Sequence, residues 1–174
     1  MTTTLPRCRD AQEALALFDR LEAVDTDFLL GAWSGEEFPS GHPLDGALVA
    51  YGWRGKRFES EEHVHPLLFG NTTREFAVRP AGVFPGIPLL MKWPAAMKSA
   101  PMAAIARALM PLLATRRSHA RLRRMQFRGR LGATMVYDDV PIQDVFRRVD
   151  DATVLGLMDL KGMERPFFFL LRRR

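Results

Sequence analysis

Apolar positions along the chain change their period several times, and each change predicts an element. Ala14, Leu17, Phe18 and Leu21 fall on one helical stripe behind Asp10, an N-cap residue with Glu13 three positions on, so a helix is predicted over about 10–24. After Asp25-Thr26-Asp27 the pattern turns strand-like. Phe28–Glu37 and Ala47–Trp53 read as strands, with turn signals at Pro39-Ser40-Gly41, Asp45-Gly46 and Gly55-Lys56. His65–Phe69 and Thr73–Arg79 flank Gly70-Asn71, a dipeptide suited to a two-residue hairpin turn. Four prolines, at 85, 88, 94 and 101, make 81–101 an irregular cover. A second helix is predicted over 102–118 from Ile105, Leu109, Leu112 and Leu113, with Pro111 ending or kinking it. From Arg124 to Tyr137 polar and apolar residues alternate, which predicts one long half-buried strand that Gly129 and Gly132 allow to bend. Val145–Val149, Thr153–Asp159 and a final strand in Pro166–Arg173 complete the chain.

The sum is about ten short strands and two helices. Antiparallel strands at hairpin spacing argue for a sandwich or a barrel, and closing the last strand onto the first removes both edges. The expected fold class is therefore mainly β: an antiparallel meander barrel with an N-terminal helix and a capping helix near 102–118. With 174 residues, one domain is expected, divided into the helix at 10–24, a β half at 25–80, a cover at 81–118 and a second β half at 119–174.

Composition narrows this reading only slightly, since 47% hydrophobic and 26% charged residues are ordinary for a globular chain. A single cysteine, Cys8, excludes an intrachain disulfide and a cysteine-based zinc or iron–sulfur site. The longest uncharged apolar run, Pro80–Met91, has 12 residues, short of the roughly 18 a spanning helix needs. The N-terminus lacks the apolar stretch of a secretory signal, so the cytoplasm is the expected location.

Charge changes the picture more. Residues 1–50 hold 3 basic and 9 acidic groups, whereas Phe76–Tyr137 holds 11 basic groups and no acidic one. Either the basic segment pairs with acidic residues elsewhere on the surface, or it meets an anionic partner. For the second case Arg116, Arg117, Arg121, Arg123 and Arg124 are the candidate contacts. Their Ala-, Leu- and Met-rich flank favours an anionic membrane over nucleic acid, which would need interleaved aromatics.

The segment Gly31-Ala-Trp33-Ser-Gly35 is a Gly-x-Trp-x-Gly motif, followed by Phe38-Pro-Ser-Gly41-His42-Pro43-Leu44-Asp45-Gly46. It resembles the bacterial GXWXG-domain family. The run Phe127-Arg-Gly129, Met135-Val-Tyr137-Asp138, Pro141-Ile142, Phe146-Arg147, Val149-Asp150 and Val154–Asp159 resembles the C-terminal segment of unknown function that such proteins carry. Gly-x-Trp is also similar to the first-strand motif of the calycins, the lipocalin and fatty-acid-binding barrels. That resemblance implies that Gly31 and Gly35 are structural, that Trp33 closes one barrel end, and that a basic side chain of the last strand, Arg172, lies across the indole.

Apolar residues expected to point inward are Phe38, Trp53, Met135, Tyr137, Phe146, Met158 and Phe168, as pocket lining or as plain core. His42 and Asp45, in the Gly-His-Pro-Leu-Asp-Gly loop, line a barrel mouth or build a turn. His63 and His65 share a strand face, without a third histidine nearby to complete a metal site. No serine lies in a Gly-x-Ser-x-Gly elbow, and no phosphate loop follows a strand. The reading is thus a hydrophobic ligand, a fatty acid or another lipid, bound without catalysis and without a cofactor. Trp33, His42, Asp45 and His65 join the apolar set as candidate contacts.

Two alternatives stand beside it. The nitrobindins open with a similar motif and carry haem on a histidine, which here leaves His42, His63, His65 or His119 as ligand; Glu37 replaces their third glycine, and no histidine follows His119. An enzyme of unknown reaction would use His42 and Asp45 as an acid/base pair.

Overall fold

The structure is a computed structural model that describes residues 5–71, 73–84 and 92–174. Helix α1 (Ala11–Arg20) starts at Asp10, whose carboxylate accepts the Gln12 and Glu13 N–H groups at 2.9 Å. Two donors that a helix start leaves unpaired are thereby satisfied. Strand β1 (Glu22–Ala23) and the single turn α2 (Thr26–Leu29) lead into β2 (Gly31–Glu37). Helix α3 (Ala47–Tyr51) connects β2 to β3 (Trp53–Phe58), and β4 (Val64–Gly70) and β5 (Glu75–Val78) follow. Past the residues outside the description come α4 (Pro94–Met97), α5 (Ala100–Leu109), a 3₁₀ turn (Met110–Leu113) and β6 (Ala114–Thr115). Strands β7 (Ala120–Phe127), β8 (Arg130–Tyr137), β9 (Ile142–Asp150), β10 (Thr153–Leu160) and β11 (Phe167–Arg173) end the chain.

Eight of these strands close into an antiparallel barrel in the order β2, β3, β4, β7, β8, β9, β10, β11 and back to β2. The last strand pairs with the first long one, with Leu171 opposite Gly35 and Arg173 opposite Trp33. Strands β5 and β6 extend β4 outside the ring, and β1 flanks β9. The closure between β4 and β7 rests on the single pair Val64–Ala120, and β6 is the outer strand of the extension. Helix α1 lies on the outside of the wall, where Ala14, Leu17 and Phe18 pack with Val145, Leu155, Leu157 and Phe168. Inside, the larger cluster runs from Trp33 through Phe58 and Phe146 to Phe169.

Three expectations are corrected. Ala47–Tyr51 is a helix and not a strand: Gly46 and Gly52 hold left-handed φ values of 88° and 82° at its two ends. The Glu37 carboxylate accepts the Gly46 and Val49 N–H groups at 2.6 and 3.1 Å, capping the helix from nine positions upstream. The long strand predicted through Tyr137 is a hairpin, β7–β8, turned at Arg128 (φ 49°) and Gly129 (φ 77°). Because this two-residue turn pairs Phe127 with Arg130, odd-numbered positions face inward on β8 and outward on β7, so Met125 and Phe127 leave the core. The helix predicted to 118 stops at Leu109, two residues before Pro111, and passes through the 3₁₀ turn into β6. Positions 85–91 of the predicted cover lie outside the described residues.

Candidate functional site

The Gly-x-Trp-x-Gly motif builds the closed end of the barrel. Gly31 turns the chain from α2 into β2 with φ 115°, a conformation that L side chains rarely adopt. The Trp33 indole is fully buried, and its Nε1–H donates to the Leu29 carbonyl at 2.7 Å. At Gly35 a Cβ would lie 2.3 Å from the Trp53 ring, so only glycine lets that indole lie flat on β2. The cation over Trp33 is Arg173, 4.4 Å from the ring centroid, with its guanidinium donating to the Leu30 and Phe28 carbonyls at 3.0 and 2.6 Å. Arg172, expected in that place, points to the other face of β11 and pairs with Glu36 at 2.8 Å. Alternation along β11 decides between the two.

The other end is covered by α3, α4 and α5, and beneath them lies a cavity of about 370 Å³. Leu44, Ala47, Leu48 and Tyr51 contribute from the α3 side, and Met102, Ile105, Ala106 and Leu109 from α5. Barrel residues Trp53, Leu67, Phe69, Met158, Phe167 and Phe169 form the remaining walls. Toward Trp33 the lumen is filled, since Phe146 packs edge-on against Phe58 at 5.9 Å and Phe169 at 6.2 Å.

Set into this apolar lining are Lys56, Tyr137 and Asp144. Lys56 lies on β3 and Asp144 on β9, four strands apart in a ring of eight, so their side chains meet across the lumen. Lys56 Nζ stands 2.8 Å from Asp144 Oδ2, and the two residues are 2% and 0% exposed. The ammonium also donates to the Pro66 carbonyl at 3.0 Å and the Tyr137 hydroxyl at 3.3 Å, and lies 4.9 Å from the Phe169 ring centroid. Tyr137 in turn donates to Asp144 Oδ2 at 3.4 Å. Oδ2 therefore serves two donors, while Asp144 Oδ1 and Trp53 Nε1 are buried without a hydrogen-bond partner among the described residues.

Burial sets the protonation preferences here. Desolvation lowers the Lys56 pKa and raises that of Asp144, each offset in part by the attraction of the other. Tyr137 is pushed well above its ordinary value by burial and then by the neighbouring carboxylate. A titratable cluster in an apolar cavity is a recognised mark of a functional site.

Of the residues predicted from sequence, Trp53, Tyr137 and Met158 line the cavity. Met135 and Phe146 face inward as packed core, and Trp33 is the plug. Phe38 and Phe168 sit outside the barrel wall with α1, Phe168 because its position on β11 has outward parity and Phe38 just past the end of β2. His42 is buried in its loop: Nδ1 accepts the Leu44 N–H at 3.1 Å and the ring meets Phe167 edge-on. Asp45 accepts the Ser40 and His42 N–H groups, both at 2.9 Å, and so holds the turn. His65 pairs with Glu59 at 3.4 Å, His63 with Ser60 and His119 with Asp139. No histidine lines the cavity, so the histidine ligand that the nitrobindin resemblance implies does not stand there, and no group of three His, Cys, Asp or Glu side chains placed to hold a metal occurs among the described residues.

The basic candidates divide. Arg121, Arg123 and Arg124 form ion pairs with Asp138, Glu62 and Asp25 at 3.7, 2.8 and 3.3 Å. Arg116 and Arg117 are exposed, with no ion pair among the described residues.

Sequence reasoning missed Lys56 and Asp144. Lys56 sits at a double irregularity in the β3–β4 ladder, between the pairs Trp53–Phe69, Gly55–Leu68 and Arg57–His65. Gly55, with φ 132°, allows the bulge, because a Cβ there would meet the Trp33 carbonyl at 1.9 Å. Trp53 and Lys56, three positions apart, both turn inward in consequence. Asp144 carried a legible signal: it alternates with Ile142 and Phe146 on one face of β9, a charge among core positions.

Comparisons with known proteins meet this geometry at both halves. Residues 16–73 match the family described as GXWXG protein, and residues 118–173 match a domain of unknown function, DUF4334. Lys56 lies in the first segment and Tyr137 and Asp144 in the second, so the cluster joins the two, while α5 belongs to neither. A solved structure, described as the crystal structure of a protein from Thermomonospora curvata, is 32% identical; the alignment covers 95% of this chain and 88% of that one, with a TM-score of 0.69. No curated protein sequence matches.

Proposed function

Since the chain belongs to the GXWXG family with its C-terminal DUF4334 segment, whose descriptions name a motif and no activity, we propose a function from the cavity itself: binding of a small apolar molecule, such as a lipid, inside the barrel. The observation that carries the reading is the 370 Å³ space walled by aliphatic and aromatic side chains under α3 and α5. Burying a ligand there yields about 25 cal/mol per Å² of apolar surface removed from water, and a few polar groups fix orientation. A neutral solvatochromic dye tests it. The wild-type protein takes up one dye per chain, and Ala106→Trp, which projects an indole from α5 into the cavity, abolishes uptake without changing the circular dichroism. Absence of uptake by the wild type, or uptake unaffected by the indole, sinks the reading.

A membrane contact is proposed at the covered end. Ile105, Leu109 and Leu112 are 54%, 52% and 79% exposed on α5 and its 3₁₀ extension, and Arg116 and Arg117 follow directly. An apolar face beside unpaired cations suits an anionic lipid surface. The contact is thus drawn on Arg116 and Arg117, while Arg121, Arg123 and Arg124 are engaged with carboxylates. Ile105 and Leu109 also line the cavity, so docking would bring the ligand site next to the lipid phase.

A further inference from the structure

We propose that the site selects a neutral apolar alcohol and discriminates against the corresponding carboxylic acid; this rests on the apolar-ligand reading above and specifies the head group. Charge balance is the first argument. Lys56 is the only basic residue among the described cavity-lining positions, and Asp144 at 2.8 Å already neutralises it. A fatty-acid carboxylate entering the same apolar space would leave three charges summing to minus one, with its charge desolvated and no free cation to meet it. The three protons of the Lys56 ammonium are taken by Asp144 Oδ2, the Pro66 carbonyl and the Tyr137 hydroxyl, so none remains for an anionic oxygen.

Hydrogen-bond valence is the second argument. Two polar atoms of cavity-lining residues are buried without partners among the described residues: the acceptor Asp144 Oδ1 and the donor Trp53 Nε1. A hydroxyl both donates and accepts, so where the lining shifts to admit it, its proton suits the carboxylate oxygen or its lone pair the indole N–H, both of which the lining covers. A carboxylate offers only acceptors and sets them against Oδ1. A site with a buried unpaired acceptor rejects ligands that cannot donate to it. The fatty acid suggested by resemblance to calycins is therefore replaced by a long-chain or cyclic alcohol.

The experiment is displacement of the neutral dye by decanol and by decanoate at pH 8, with the full-length protein. Decanol is expected to bind at least tenfold more tightly. Asp144→Asn removes the counter-ion and leaves the Lys56 cation free, so the preference should invert toward decanoate. If that variant does not fold, Lys56→Met combined with Asp144→Asn removes both charges, and decanol should again win. Decanoate binding to the wild type as tightly as decanol overturns the head-group inference and leaves the apolar-ligand reading standing. Dye uptake that neither compound displaces overturns the inference as well. No uptake of dye, decanol or decanoate removes both.

Discussion

Lys56 reaches the lumen only because Gly55 breaks the alternation of β3, and its placement there is expensive without Asp144. The pair contributes little net stability, since both charges lose their water. Its removal in halves is another matter. Lys56→Met leaves the carboxylate buried without its counter-charge and should cost about 3–5 kcal/mol in urea denaturation. Lys56→Met together with Asp144→Leu fills the same space with apolar atoms and should return to within about 1 kcal/mol of the wild type, or exceed it. A double variant as unstable as the single one would mean that the pair is a structural keystone and not a feature kept for the ligand.

Helix α5 shows how one element serves two environments. It presents Met102, Ala106 and parts of Ile105 and Leu109 to the cavity, while Ile105 and Leu109 remain half exposed and the following Leu112 stands almost free. A helix buried on one side only would carry polar residues on the other. Leu112→Ser combined with Arg116→Gln and Arg117→Gln should abolish co-sedimentation with anionic vesicles and leave dye uptake unchanged, because none of the three lines the cavity. Equal sedimentation with neutral and anionic vesicles would refute the electrostatic part. Helix α3 carries a different lesson. Ala47–Tyr51 reads as a strand by composition, and the cap that makes it a helix, Glu37, comes from a neighbouring strand.

At the scale of the whole molecule, pH reports on how the closed loop packs. Burial lowers the His42 pKa below its ordinary 6.5, and the Leu44 N–H bound at Nδ1 requires that nitrogen to stay unprotonated. The unfolded chain then binds more protons than the native one just below pH 6.5, so stability falls as pH drops through that window. Asp144, its pKa raised by burial, contributes the opposite slope from its unfolded value of 3.8 upward. The difference between wild type and His42→Gln isolates the histidine: the wild type should lose more melting temperature between pH 7 and 5 than the variant. Parallel curves would place His42 in contact with solvent.

The approximate strand count and the N-terminal helix were legible in the sequence, because alternation and capping residues are local; the closing of the last strand on the first followed from the need to remove edges, and the tryptophan plug from the calycin resemblance. Facing was not legible. The two-residue turn at Arg128-Gly129 sent Met125 and Phe127 out of the core, the bulge at Gly55 turned Lys56 inward, and the register of β11 exchanged Arg172 for Arg173 and sent Phe168 outside. The residue period determined that this chain would be mainly antiparallel β with an apolar interior, and the removal of both edges favoured a barrel over a sandwich. Only the tertiary structure brought Lys56 and Asp144, 88 positions apart, together across that interior, because the pairing depends on ring closure and strand register, which no local stretch of sequence encodes.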